Sequence, residues 1–199
     1  MLEQPVTKIG MPLEEFIRLY DTEGPFELID GERLPKMPNV AGHDETSRAA
    51  FVALFQFTKA NQLGEVMMES PFVLSYTSNW VTGSRQPDVM FYRAERINAY
   101  KEATPDYKLK PYILVPDLVV EVISPNDNLI ELDEKVDRYL LDGVAAVWVI
   151  DPQRKKVFIH VLTSRDPLTK QTTTLKPGEM LNGGEMIPGF EMAVATIFE

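Results

Sequence analysis

The chain has 199 residues, 44% of them hydrophobic and 25% charged, which suits one folded domain with a core of ordinary size. It has no cysteine, which excludes disulfides, thiolate metal sites and cysteine nucleophiles. With only two histidines, His43 and His160, any metal must be held mainly by oxygen, the preference of Mg²⁺, Mn²⁺ or Ca²⁺. A net charge of −10 argues against a general grip on nucleic-acid phosphates, though not against a local basic groove. No apolar run reaches the length of about 18 residues that a membrane span needs. The opening MLEQPVTKIGMPLEEF lacks the basic-then-apolar order of a signal peptide, so the cytoplasm is the expected compartment.

Taken in chain order, Leu13, Phe16, Ile17 and Tyr20 fall at helical spacing and predict a short helix over 11–20. Asp30-Gly31 predicts a hairpin turn between Phe26–Ile29 and Glu32–Leu34. A second helix is expected over His43–Leu63, with Ala49, Val52, Phe55 and Leu63 as its apolar face. Glu65–Met68 and Pro71–Tyr76 read as two short strands or one bent strand, and Asp88–Tyr92 as a strand opened by Pro87. The polar stretch Arg93–Pro111 reads as a partly helical surface insertion. Asp117–Ile123 is the clearest strand, ended by Ser124-Pro125-Asn126-Asp127. Asn128–Asp142 is a helix with Asp127 or Asn128 as N-cap and Gly143 as the C′ residue. Ala146–Ile150 and Lys156–Leu162 are expected to pair, and short strands follow around Gly178, Gly183-Gly184 and Pro188-Gly189. Strand, helix and strand over 117–150 imply a parallel pair with a right-handed crossover, hence a mixed sheet.

Two acids stand out. Glu121 lies inside the apolar run LVVEVI, where an unpaired carboxylate costs several kcal/mol to bury and the usual remedies are protonation, pairing or a metal. It could ligate a cation, or form a buried ion pair with Arg85, Arg93 or Lys135. Asp88 opens another strand; alone it could be a turn residue, the role expected of Asp117. Were these two strands antiparallel neighbours, Asp88 and Glu121 would come within reach of one cation. His160 reads as structural, and Trp80 and Trp148 as packing residues.

The segments FELIDGERLPKMP at 26–38, QPDVMFYR at 86–93, PDLVVEVISP at 116–125 and VWVIDP at 147–152 form a specific set. With them go the spacing of Lys135 and Tyr139 before Asp142-Gly143-Val144 and the closing IPGFEMAVATIF. Over nearly its whole length the chain resembles the Uma-type family of restriction endonucleases, a branch of the PD-(D/E)XK nuclease superfamily. The resemblance implies one α/β domain over 1–199. An N-terminal helix and hairpin would occupy 1–40, a restriction-endonuclease-like core with a mixed sheet flanked by helices 41–152, and a β extension 153–199.

The resemblance also implies an endonuclease that hydrolyses phosphodiester bonds of DNA with Mg²⁺ or Mn²⁺. Asp88 would be the first acid and Glu121 the second. The superfamily lysine two residues further on is replaced by Ile123, and Lys135 on the following helix becomes its candidate substitute. Leu132, Val136 and Leu140 form that helix's buried stripe, with Lys135 and Tyr139 along the flank. Alternatively, Lys135 is a solvated charge near Glu131 or Glu134. Glu45 corresponds to an extra metal-site acid of the superfamily, or else is a favourable charge at a helix N-terminus. His43 either joins Glu45 or merely precedes the helix, and Glu32 matches a recurring family position. DNA contact is expected to be weak and local, and cutting two strands would suit a homodimer. Two other classes remain open: an inert interaction module, favoured by the acidity and by Ile123, and a metal-dependent hydrolase of something smaller than DNA.

Overall fold

The computed structural model describes residues 9–75, 77, 79–125 and 127–199. Tyr76, where a strand was expected to end, and Asn126, in the turn after the clearest strand, lie outside them, as do residues 1–8. Strand β1 (Met11–Pro12) leads into helix α1 (Leu13–Glu23), and β2 (Phe26–Ile29) and β3 (Glu32–Pro35) form the expected hairpin. Asp30 and Gly31 take φ of 52° and 88°, the positive values that a two-residue hairpin turn requires. Helix α2 (Ala41–Ala60) is followed by β4 (Gly64–Met68), β5 (Phe72–Leu74), β6 (Trp80–Val81), β7 (Gly83–Arg85) and β8 (Val89–Arg93). Then come α3 (Ala94–Ala103), β9 (Leu118–Val122), α4 (Leu129–Asp142), β10 (Ala146–Asp151), β11 (Lys156–Arg165) and β12 (Leu168–Leu175). Strands β13 (Met180–Asn182) and β14 (Glu191–Ala193) and a last 3₁₀ turn, Val194–Phe198, end the chain.

The main sheet runs β12-β11-β10-β9-β8-β4, with β9 and β10 parallel across the α4 crossover and all other pairs antiparallel. One face packs Val89, Phe91, Val120 and Trp148 beneath α2 and the C-terminal segment, through Ala50, Leu54, Phe190 and Ile197. The other packs Met90, Val119, Val147 and Val149 beneath α3 and α4, through Ile97, Val136, Tyr139 and Leu140. Cover on both faces is why β9 and β10 read as continuous apolar runs. A second sheet, β3-β2-β7-β5, packs against α1 through Phe16, Leu19, Phe26, Leu28 and Val73. Among the described residues no helix is long and apolar enough to cross a membrane.

Three expectations change. The apolar face of α2 is rotated: Val52 and Phe55 are 40% and 38% exposed, while His43, Ser47, Ala50, Leu54 and Thr58 make the buried stripe. Small and polar side chains let this helix lie close to the sheet, and they carry little hydrophobic signal. The stretch after β8 is partly helical as expected, but its helix is anchored in the core by Ile97, which is 1% exposed. Asp117 does more than open a strand. Buried, it accepts hydrogen bonds from the Arg93 N–H at 2.9 Å and from Arg93 Nε at 2.7 Å, and it pairs with Arg96 Nη1 at 3.0 Å. Asn128 is the N-cap of α4, its Oδ1 accepting from Ile130 N at 2.9 Å, and Gly143 ends the helix at φ 110°.

Leu54→Ala should lower stability by about 2–5 kcal/mol and Val52→Ala by less than about 1, as read by urea denaturation. Burial, together with the nearby Lys170 charge, holds His160 below its ordinary pKa of 6.5. A depressed histidine pKa means the unfolded chain binds the proton first, so this contribution is present above 6.5 and is lost as pH falls toward the folded value. His160→Gln should therefore lose less stability than the wild type between about pH 7.5 and 5.5.

Candidate active site

The site follows from the register of two strands. In β8 and β9, Phe91 faces Leu118, Met90 faces Val119 and Val89 faces Val120. One step past the last bridged pair, Val89 and Val120, come Asp88 on one side and Glu121 on the other, close enough for the Asp88 charge to act on Glu121. Both are buried, at 2% and 5% exposure. Like charges directly opposite destabilise a sheet, so each acid must be held by other groups.

Asp88 is held on three sides. Its Oδ2 accepts from the Val122 N–H at 2.8 Å and lies 3.0 Å from His43 Nε2; its Oδ1 lies 3.4 Å from Lys36 Nζ. Burial alone would raise its pKa. The His43 hydrogen bond, the Lys36 and His43 charges and the Val122 N–H outweigh burial and bring it down to about 2. Behind it, His43 Nδ1 faces Ser47 Oγ at 3.4 Å and Asp44 Oδ1 at 3.6 Å. Burial disfavours the charged ring, but Asp88 and Asp44 raise the His43 pKa above 6.5.

Glu121 faces α4. Its Oε1 accepts from the Tyr139 hydroxyl at 2.5 Å and meets Lys135 Nζ at 3.0 Å. Burial pushes its pKa up, Lys135 and Lys36 pull it down, and Asp88 adds to the rise. Burial also works against the Lys135 ammonium, but Glu121, Glu27 and Asp88 hold it charged, with a raised pKa. Glu27 of β2 lies 3.9 Å from Lys135 and accepts from the Gln86 N–H at 2.8 Å. The Gln86 side chain accepts from Tyr20 and donates to the Glu69 carbonyl, tying the small sheet and α1 to the site. A groove of about 310 Å³ opens beside Glu121, lined by Asp127, Asn128, Glu131 and Lys135, and one of about 390 Å³ beside Lys36, Asp44, Glu69 and Gln86.

Of the residues singled out in the sequence, Asp88, Glu121 and Lys135 are brought together, and His43 and Tyr139 join them. Glu45 is not. It is exposed, lining another groove with Arg48, Pro152, Lys155 and Phe198. Two helical positions after His43 turn it about 200° away. Arg85 pairs with Asp142 at 3.0 Å and Arg93 with Asp117, so Lys135 is the ion-pair partner of Glu121. Glu32 is exposed. Trp148 packs in the core against Phe190, and Trp80 Nε1 donates to the Ile9 carbonyl. Sequence reasoning missed Lys36, Glu27 and Gln86. Glu27 carried a signal like that of Glu121, an acid inside the strand FELI. Lys36, between two prolines in LPKMP, carried none beyond its place in the family segment 26–38.

The donor set fits a hard cation. Mg²⁺ is commonly bound through one or two carboxylates with water filling the other positions, and Asp88 and Glu121 supply two. Among the described residues no group of three or more His, Asp or Glu stands at ligand spacing. Lys135→Met strands a buried carboxylate and should cost up to about 3–5 kcal/mol in the metal-free protein. Adding Glu121→Gln should recover most of that loss in thermal melts, because no unpaired charge remains.

Residues 13–195 match the Uma2 family, described as "Putative restriction endonuclease". No curated protein matches the chain. Among solved structures it is similar to a crystal structure described as a putative nuclease from Anabaena variabilis ATCC 29413, with a TM-score of 0.73. Identity is 18%, over 94% of this chain and 97% of that one, a likeness of fold. Since the family match spans nearly all of a chain folded around a mixed, helix-flanked sheet, the protein belongs to the Uma2 family.

Proposed function

We propose that the protein is a divalent-metal-dependent endonuclease that hydrolyses phosphodiester bonds of DNA at the Asp88–Glu121 pair. The observation that carries this reading is the register of β8 and β9, which opposes two buried acids with an ammonium on the second, in a chain of this family. Asp88 and Glu121 would hold Mg²⁺ or Mn²⁺. Such a cation polarises a phosphoryl oxygen and makes bound water a nucleophile near neutral pH.

The chain's own groups have separate tasks. His43 and the Val122 N–H orient Asp88 through one oxygen and keep it ionised. Tyr139 orients Glu121 in the same way. Lys135 supplies the positive charge for which Ile123 has no counterpart, and a fixed cation at a developing negative charge is worth most where water is excluded. The neighbouring basic side chains are already paired with acids: Lys36 with Asp88, Arg33 with Glu23, Arg85 with Asp142. Few are left for phosphates, which supports weak, salt-sensitive DNA contact. Cutting both strands of a duplex would call on a second copy.

The test is cleavage of duplex DNA, single-stranded DNA and RNA with Mg²⁺ and Mn²⁺. Asp88→Ala and Glu121→Ala should abolish cleavage and metal binding. Lys135→Met should keep metal binding and lower kcat on the order of 10²–10³-fold. Wild-type rates in Glu121→Ala would overturn the assignment.

A further inference from the structure

Lys36 has no place in the reading above beyond its effect on Asp88, yet the chain positions it closely. Its own N–H donates to the Pro25 carbonyl at 3.0 Å, just past the point where Pro35 pairs with Phe26. The side chain then crosses to the site. Its Nζ donates to the Gln86 carbonyl at 2.8 Å and meets Asp88 Oδ1 at 3.4 Å, and the side chain is 19% exposed.

The oxygens of the two acids are not equivalent. Asp88 Oδ2 is committed twice, to His43 and to the Val122 N–H. A cation that bound there would have to break those contacts. Among the described residues Oδ1 meets Lys36 alone. On Glu121, Lys135 and Tyr139 both use Oε1, which leaves Oε2 uncommitted to them. A cation shared by the two acids therefore comes to Asp88 through Oδ1, the atom that Lys36 holds.

We propose that the Lys36 ammonium occupies, in the metal-free protein, the Asp88 Oδ1 position through which a divalent cation held by Asp88 and Glu121 would bind, so that the metal binds by displacing it. This inference rests on the metal-site reading above. A lysine ammonium is a compact charge on a flexible four-carbon stem, and Lys36 borders the groove shared with Met37, Asp44 and Glu69, into which it can turn. The tethered cation keeps the opposed acids apart in charge before metal arrives, and it sets the metal concentration at which the site loads.

Two measurements test this on the whole chain. Mn²⁺ binding, followed by electron paramagnetic resonance, should be on the order of tenfold tighter in Lys36→Met than in wild type. Arg33→Met, which removes a nearby charge paired with Glu23, should bind within about twofold of wild type. The Lys36→Met difference should persist in about 0.5 M salt, where long-range charge effects are screened. In the unaltered protein, acylation of Lys36 by an N-hydroxysuccinimide ester, followed by mass spectrometry, should be several-fold faster at saturating Mn²⁺ than without it. The exposed Lys59 serves as the reference. Unchanged or weaker Mn²⁺ binding in Lys36→Met, or an acylation rate indifferent to Mn²⁺, would overturn the displacement and leave the metal site standing. If none of the proteins binds Mn²⁺, the metal-site reading falls, and this inference with it.

Discussion

Two carboxylates face each other across β8 and β9 at one end of the main sheet, nearly out of contact with water. Left to themselves they would repel, and one would take a proton. Much of the surrounding architecture answers that problem. The α2 helix gives up hydrophobic area on its buried stripe to bring His43 to Asp88, with Ser47 behind the His43 ring. The α4 helix gives Lys135 and Tyr139 to Glu121. The small sheet gives Lys36, and Glu27 as a second partner for Lys135. Elements far apart in sequence are thus held in one arrangement by charge as well as by packing.

Asp117 makes an instructive contrast. It is as buried as Asp88 and sits beside the same two strands, yet Arg93 and Arg96 satisfy it in full. Its carboxylate ties α3 to β9 and has no opposed acid. At Asp88 and Glu121 the cationic partners are His43 and two lysines, and the lysines hold a carboxylate as point charges on flexible stems rather than through the rigid fork of arginine. A lysine can be moved or replaced at such a site far more easily. Asp117 differs from Asp88 and Glu121 in the type and number of its partners, and burial alone does not separate them.

The hairpin at Asp30-Gly31, the run at β9 and the capped helix α4 were legible because each depends on local rules: positive φ at a turn, apolar period, and a side-chain cap. Glu121 was legible as an acid where the pattern calls for an apolar residue. The α2 face was not, because Ala50, Ser47 and His43 do not look like a core stripe until a sheet is laid beneath them. The hairpin of β11 and β12 exceeds the short strands expected after Lys156–Leu162, since an exposed edge such as LTKQTTTL has no apolar alternation to mark it.

The sequence by itself determined the mixed sheet, the crossover from β9 through α4 to β10, and Glu121 as a misplaced charge, because chain order, periodicity and a lone acid in an apolar run are properties of short segments; the roles expected of Asp88 and Lys135 came from the family resemblance. Only the tertiary structure decided that Asp88 and Glu121 lie opposite each other, that His43 rather than Glu45 stands at the site, and that Lys36 reaches it. Those outcomes depend on strand register and on the rotation of a helix about its axis. A shift of one residue in the first, or about 100° in the second, changes which side chains meet, and both are set by the packing of the whole sheet.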